Sequence, residues 1–194
     1  TPAGQADWRA ILRRVLPLVD VFLPSLDEML YMLGRPAADA TDLGVVAAVA
    51  DELLAAGAGV VGLKLGGDGL YVRTTPDVGR LAALRAAIGQ PLADWPGREL
   101  YTPCFRADVA GTTGAGDCTI AGFLAALLRG AALDDAVTAA VAVGGCNVER
   151  ADALSGVPHW DAVEQRLAAG WAKHAPPALA TGWRWDAAAR LGRG

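Results

Sequence analysis

Gly111-Thr112-Thr113-Gly114-Ala115-Gly116-Asp117-Cys118-Thr119-Ile120-Ala121-Gly122-Phe123-Leu124 joins a glycine turn, a helix start and one acid at the helix mouth. Glycines at 114 and 116 open backbone conformations closed to other residues and let main-chain N–H groups approach an anion. The apolar run from Ile120 to Leu128 predicts the helix behind the turn, whose free N–H groups and dipole face bound negative charge. Asp117 runs against that logic, since a carboxylate repels the ligand that the turn attracts. Its position makes chemical sense if it takes a proton from a hydroxyl that attacks a phosphoryl group. The competing interpretation is a turn that only caps a buried helix.

The full string resembles the second signature of the ribokinase-like (PfkB) sugar-kinase family, Asp-Thr-Thr-Gly-Ala-Gly-Asp followed by a small-residue helix with Ala-Gly-Phe. The resemblance implies that Gly114, Ala115 and Gly116 form an anion hole for the transferred phosphoryl group and that Asp117 is the catalytic base. Gly111 replaces the first Asp of the pattern. In relatives that Asp and the loop corresponding to Ala151–Pro158 hold a potassium ion, so the replacement removes a charged ligand and implies weak potassium dependence.

Two more segments, in family order, extend the resemblance. Val19-Asp20-Val21-Phe22-Leu23-Pro24-Ser25-Leu26-Asp27-Glu28 resembles a strand followed by the Asn-x-x-Glu motif, whose Glu organises the magnesium water shell. Glu28 matches, and Ser25 stands where Asn is usual, which implies a weaker or water-mediated contact. Both acids also suit the first turn of a helix as dipole partners. Lys64-Leu65-Gly66-Gly67-Asp68-Gly69 resembles the nucleotide loop, in which Gly66, Gly67 and Gly69 let ribose and phosphate lie against the backbone, although a hairpin turn needs the same glycines. Lys64, one of only two lysines in the chain, is either a point charge for phosphate or an ordinary strand end. Val141 to Val148 looks like the adenine-side helix, and Thr113 and Asn147 join the implied nucleotide contacts. The implied cofactors are ATP and Mg2+.

The resemblance covers about residues 7 to 170 and corresponds to the carboxy-terminal half of the family fold. The expected architecture is α/β, a three-layer ribokinase-like (Rossmann-like) sheet flanked by helices, with the amino-terminal half and its lid absent. Residues 1–175 are expected to form the nucleotide-binding and catalytic part, and 176–194 a carboxy-terminal tail whose tryptophans pack back on the body. The implied activity is ATP-dependent phosphorylation of a hydroxyl on a small molecule of the sugar or nucleoside class. The alternative is a non-catalytic nucleotide-binding or assembly fragment of a split or truncated kinase. A sheet short of strands leaves an edge open, so a homo-oligomer or pairing with an amino-terminal half is expected.

Composition narrows the partners. A chain of 194 residues, 53% hydrophobic, buries a real core, and a net charge of −4 offers no basic footprint for nucleic acid or an anionic membrane. Apolar runs such as Ala136–Val143 are too short and too rich in Ala and Gly to span a bilayer, and Thr1-Pro2-Ala3-Gly4 lacks signal-peptide character, so a cytoplasmic setting is expected. Cys104, Cys118 and Cys146 lie too far apart in sequence to suggest a disulfide framework or zinc site. Helix N–H groups favour a thiolate at Cys118 while Asp117 opposes it. His159 and His174 are the only histidines, and neither belongs to a metal or triad pattern.

Strands alternate with helices along the chain. Helices are predicted at Asp7–Leu18, Leu26–Leu33, from Asp42 to a stop at Gly57, Gly116–Arg129, Asp134–Asn147 and Trp160–Lys173. Strands are predicted at Asp20–Leu23, Val60–Leu65 and Leu70–Val72, the last two as a hairpin around Gly66–Gly69. Pro76 to Leu100 reads as a long connection.

Overall fold

Asp7 accepts a hydrogen bond from the Ala10 N–H at 3.0 Å and opens α1 (Trp8–Val15), which Pro17 converts into a 3₁₀ turn at Leu16–Leu18. The computed structural model describes residues 6–177 and 182–194. Of the strand expected at Asp20–Leu23, only Val21–Phe22 (β1) pairs. Helices α2 (Leu26–Met32) and α3 (Leu43–Ala55) follow, the latter capped by Asp42, whose carboxylate accepts from the Gly44 and Val45 N–H groups.

The hairpin forms as expected: β2 (Val60–Lys64) and β3 (Leu70–Thr74) pair antiparallel across a 3₁₀ turn at Gly66–Asp68. The connection from Pro76 holds a helix, α4 (Val78–Ile88), and a strand, β4 (Glu99–Thr102), neither of which the sequence analysis anticipated. Their local signals exist. Asp77 caps α4 through the Gly79 and Arg80 N–H groups, and Gly89 ends it. Next come α5 (Ala115–Leu128), α6 (Leu133–Asn147) and α7 (Trp160–Ala168). The last stops short of the expected Lys173, because beyond Gly170 the chain turns extended and Lys173 bridges Phe105.

The tail from residue 176, whose tryptophans are expected to pack back on the body, joins the sheet over residues 184–193. Strands β5 (Arg184–Asp186) and β6 (Leu191–Arg193) form a hairpin whose β6 pairs with β4, and Trp183 packs against Tyr71 at 6.1 Å between ring centroids. Arg193 anchors it, donating to Asp134 at 2.9 Å and to Asp186 at 3.2 Å. The strand order is therefore β1-β2-β3-β4-β6-β5, parallel between β1 and β2 and antiparallel elsewhere.

Alternation along β2 separates two cores. Val60 turns to the face covered by α4, α5, α6 and α7, whereas Val61 and Leu63 turn to the face covered by α1, α2 and α3. This makes three layers, helices on both sides of a mixed sheet. Gly62, Lys64 and their partners Val72 and Leu70 share the first face, which places Lys64 beside the start of α5. Among the described residues no helix is long and apolar enough to cross a membrane.

Candidate active site

The turn before α5 is shaped by Gly114, which sits at φ 77° as the helix N-cap. A Cβ there would stand 2.7 Å from the Ala153 carbonyl oxygen, so both the backbone sign and the space demand glycine. That same carbonyl accepts from Asn147 Nδ2 at 2.7 Å and from the Cys118 thiol at 3.6 Å, fixing the 151–156 loop over the helix start. Asp152 rigidifies the loop further by accepting from the Leu154 and Ser155 N–H groups at 2.9 and 2.7 Å and from the Ser155 hydroxyl. The Ser155 hydroxyl, then the two N–H groups, hold its carboxyl down at about 2.

At the helix mouth the N–H groups of Gly114, Gly116 and Asp117 have no backbone acceptor among the described residues. The Ala115 N–H differs from expectation: it donates to the Thr112 carbonyl at 3.2 Å, so this residue keeps its place in the wall but not as a free donor. Lys64 comes to the same spot, its Nζ 3.3 Å from where a Gly116 Cβ would lie. Free N–H groups, a helix dipole and an ammonium thus converge at one point, and Asp117 is exposed on that first turn.

This point is one end of a cleft of about 470 Å³. Lys64, Gly66, Gly67 and Gly69 line one wall and Ala115, Gly116 and Thr119 another. Phe105, Val109, Val141 and Val148 add apolar lining. Such a cleft suits a ligand with an anionic end and a flat, weakly polar end. Phe105, Val109 and His174 are lining residues that the sequence analysis did not single out; Phe105 and Val109 lie on an irregular stretch with no periodicity to place them.

Five expected site residues lie outside this lining: Gly114 and Asp117, which flank Ala115 and Gly116 on the same turn, and Thr113, Asn147 and Glu28. Thr113 is exposed, and its neighbour Thr112 takes the wall position. Asn147 is fully buried, its amide nitrogen spent on Ala153 and its Oδ1 unpartnered, so it holds the loop rather than facing the cleft. Glu28 lines a separate open groove with Phe22, Met29 and Tyr31, and Lys64 borders both concavities. Glu28 also completes a capping box: the Ser25 N–H donates to its Oε2 at 2.8 Å, and the Glu28 N–H donates to Ser25 Oγ at 3.2 Å. The Ser25 backbone bond is the largest cause holding the Glu28 carboxyl below its usual range, with Lys64 a minor one.

Cys118 is buried, and desolvation followed by the Asp117 charge pushes its thiol up, so of the two opposed influences at this helix start the one against the thiolate prevails. Gly111 is not at positive φ; a Cβ there would meet Ala151 Cα and O at 3.0 Å, so the neighbouring loop leaves little room for a carboxylate.

The profile of the pfkB family of carbohydrate kinases matches residues 1–160. The chain belongs to that family. Its fold is ribokinase-like: Thermotoga maritima ribokinase superposes with a TM-score of 0.60 at 22% identity, covering 80% of this chain and 44% of that one. Salmonella enterica aminoimidazole riboside kinase, bound to its riboside and an ATP analogue, gives 0.60 at 24% identity, with 82% and 46% covered. Arabidopsis thaliana ribokinase with ribose and ATP gives 0.63 at 20% identity, with 80% and 43% covered. This PfkB chain therefore spans less than half the length of these structures. A search of curated proteins returned no match.

Proposed function

We propose that this chain is the nucleotide-binding and catalytic side of a kinase that transfers the γ-phosphoryl group of ATP to a hydroxyl of a sugar or nucleoside. One observation carries the reading: unpaired N–H groups and the Lys64 ammonium converge on the polar end of the cleft, with a carboxylate on the same helical turn. Membership of the PfkB family supports it, as do structural neighbours bound to ribose with ATP and to a riboside with an ATP analogue.

In this mechanism Asp117 accepts the proton of the attacking hydroxyl while its oxygen bonds to phosphorus and the ADP oxygen leaves. The Gly114, Gly116 and Asp117 N–H groups and Lys64 offset charge on the transferring group, and they are in place before reaction. Gly66, Gly67 and Gly69 form the surface against which ribose and phosphate lie. Among the described residues no three His, Cys, Asp or Glu side chains cluster to cage a metal. Mg2+ supplies neutralisation of phosphate charge, and Glu28 would orient its water shell from the neighbouring groove. With glycine at 111, no charged side chain is offered to K+ at that position.

Asp117→Asn tests the assignment in the complete enzyme. Turnover should fall by on the order of 100- to 10,000-fold while Mg-ATP affinity, read by calorimetry, changes little. A variant that phosphorylates its acceptor near the wild-type rate removes Asp117 from the role of base.

A further inference from the structure

A stretch of chain beyond the residues that match the family profile contributes His174 to the lining of the cleft. Residues 171–174 run antiparallel to 104–106: the Arg106 N–H donates to the Ala172 carbonyl at 2.8 Å and the His174 N–H to the Cys104 carbonyl at 2.9 Å. Side chains lock the arm. Trp171 stacks on Phe105 with centroids 4.5 Å apart and donates from Nε1 to the Arg106 carbonyl at 2.6 Å. Arg166 lies 3.4 Å over the Trp171 ring, and Lys173 Nζ donates to Thr102 Oγ1 at 2.6 Å and to the Arg190 carbonyl at 3.2 Å. The backbone of the arm is thus held from several sides, and His174 is delivered to the cleft edge opposite Cys104.

Polar side chains in the cleft divide sharply. Lys64 and Thr112 stand at the anion end, and Thr119 donates its hydroxyl to Ala115 at 2.8 Å within its own helix. Cys104 has its thiol turned to the Gly66 carbonyl at 3.6 Å. His174, exposed and paired through its backbone with Cys104, is a further lining side chain that can both donate and accept hydrogen bonds. A base seated among Phe105, Val109, Val141 and Val148 would have its faces packed by apolar groups and its polar edge or ribose met by an imidazole.

We infer that the 171–174 arm is a nucleotide-recognition element and that His174 is the side chain by which this kinase discriminates the base end of its nucleotide. The inference rests on the proposed nucleotide site and adds a residue from outside the family-matched segment. Imidazole recognition of this kind leaves phosphate binding untouched and is lost when the ring is removed.

The test compares binding of Mg-ATP, Mg-GTP, Mg-CTP and inorganic tripolyphosphate to the wild-type chain, His174→Ala and His174→Gln by calorimetry. His174→Ala should weaken ATP about tenfold and flatten the ratios among the three nucleotides, with tripolyphosphate unchanged. His174→Gln, which keeps a donor and an acceptor, should recover most of the ATP affinity. Equal ATP affinity in wild type and His174→Ala overturns the inference alone, as does a parallel loss of tripolyphosphate binding, which would mark a general disturbance of the cleft. A wild-type chain that binds neither nucleotide nor tripolyphosphate overturns the nucleotide site itself and this inference with it.

Discussion

Lys64 stands between two concavities of opposite character. On one side lies the cleft, walled by the hairpin loop, the start of α5 and the arm at 171–174. On the other lies a groove of about 580 Å³ beside Glu28, open to solvent and floored by Trp8, Phe22, Met29, Met32 and Ile120. Strand β1 is one edge of the sheet, and at the other the β5–β6 hairpin extends it beyond β4. Tyr31, 61% exposed, adds to the apolar rim of the groove. Unpaired strand edges next to exposed apolar side chains are surfaces that proteins normally cover. The two concavities therefore differ: the cleft is walled by this chain, and the groove lies open beside an edge strand.

The largest expected effect breaks or confirms that contrast directly. Residues 1–194 alone should bind Mg-ATP yet phosphorylate sugars on the order of 1,000-fold more slowly than when joined by an amino-terminal half of the PfkB fold, since water reaches the phosphates and the hydroxyl is unpositioned. The isolated chain should also pair with copies of itself through the β1 edge, read by analytical ultracentrifugation. A monomer that turns over a sugar at ordinary kinase rates in an ADP-coupled assay would sink the contrast.

The next effects separate the two sides residue by residue. Lys64 borders both, so Lys64→Met should weaken Mg-ATP by about 10- to 100-fold and lower turnover as well. Glu28 belongs to the open side and to the capping box. Glu28→Gln keeps the box, because Gln also accepts from the Ser25 N–H, so stability should hold within about 0.5 kcal/mol. Magnesium-dependent turnover should nonetheless fall about 10-fold or more. If thermal stability collapses and turnover per folded molecule is unchanged, Glu28 is a cap and nothing else.

What was legible in the sequence is what is local. The Gly114 turn, the Asp42 cap and the β2–β3 hairpin each depend on residues within a few positions of one another, and each formed where the pattern put it. Lys64 and Gly116 are far apart in sequence, and their meeting follows from β2 lying beside α5, which only the family resemblance implied. Asn147 shows the limit of carrying roles along a motif. It was named among the implied nucleotide contacts, and in the structure it is buried and bonded to the Ala153 carbonyl as a loop anchor. Ser25-x-x-Glu28 was read for its catalytic likeness although the same spacing is a capping box, so one pattern carried two physical causes. The arm and the terminal hairpin were least legible. Leu191–Arg193 has no strand pattern long enough to stand alone, and it is held by β4 and the Arg193–Asp134 ion pair.

The smallest expected effect concerns the wall of the enclosed side. Lys173 is buried, and desolvation, followed by repulsion from Arg190, brings its ammonium down to about 8. In the unfolded chain a lysine titrates near 10.4, so between about 8 and 10 the unfolded state binds more protons than the folded one and stability rises with pH. Burial also pushes the Cys104 thiol up to about 11, which acts in the opposite sense once the unfolded thiol ionises near 8.5. The lysine effect is therefore clearest as a difference between two proteins. Relative to Lys173→Met, the wild-type chain should gain about 1 kcal/mol of unfolding free energy between pH 8 and pH 9 in urea titrations. At pH 7 the variant loses the bonds to Thr102 and Arg190 but also a buried charge with no carboxylate bonded to it, so its stability there should stay close to wild type. Stability curves that run parallel through this window would mean that the Lys173 ammonium is as well solvated in the folded chain as in the unfolded one. The arm would then not be packed against the cleft as tightly as its contacts require, and the enclosed side would lose the feature that sets it apart from the open one.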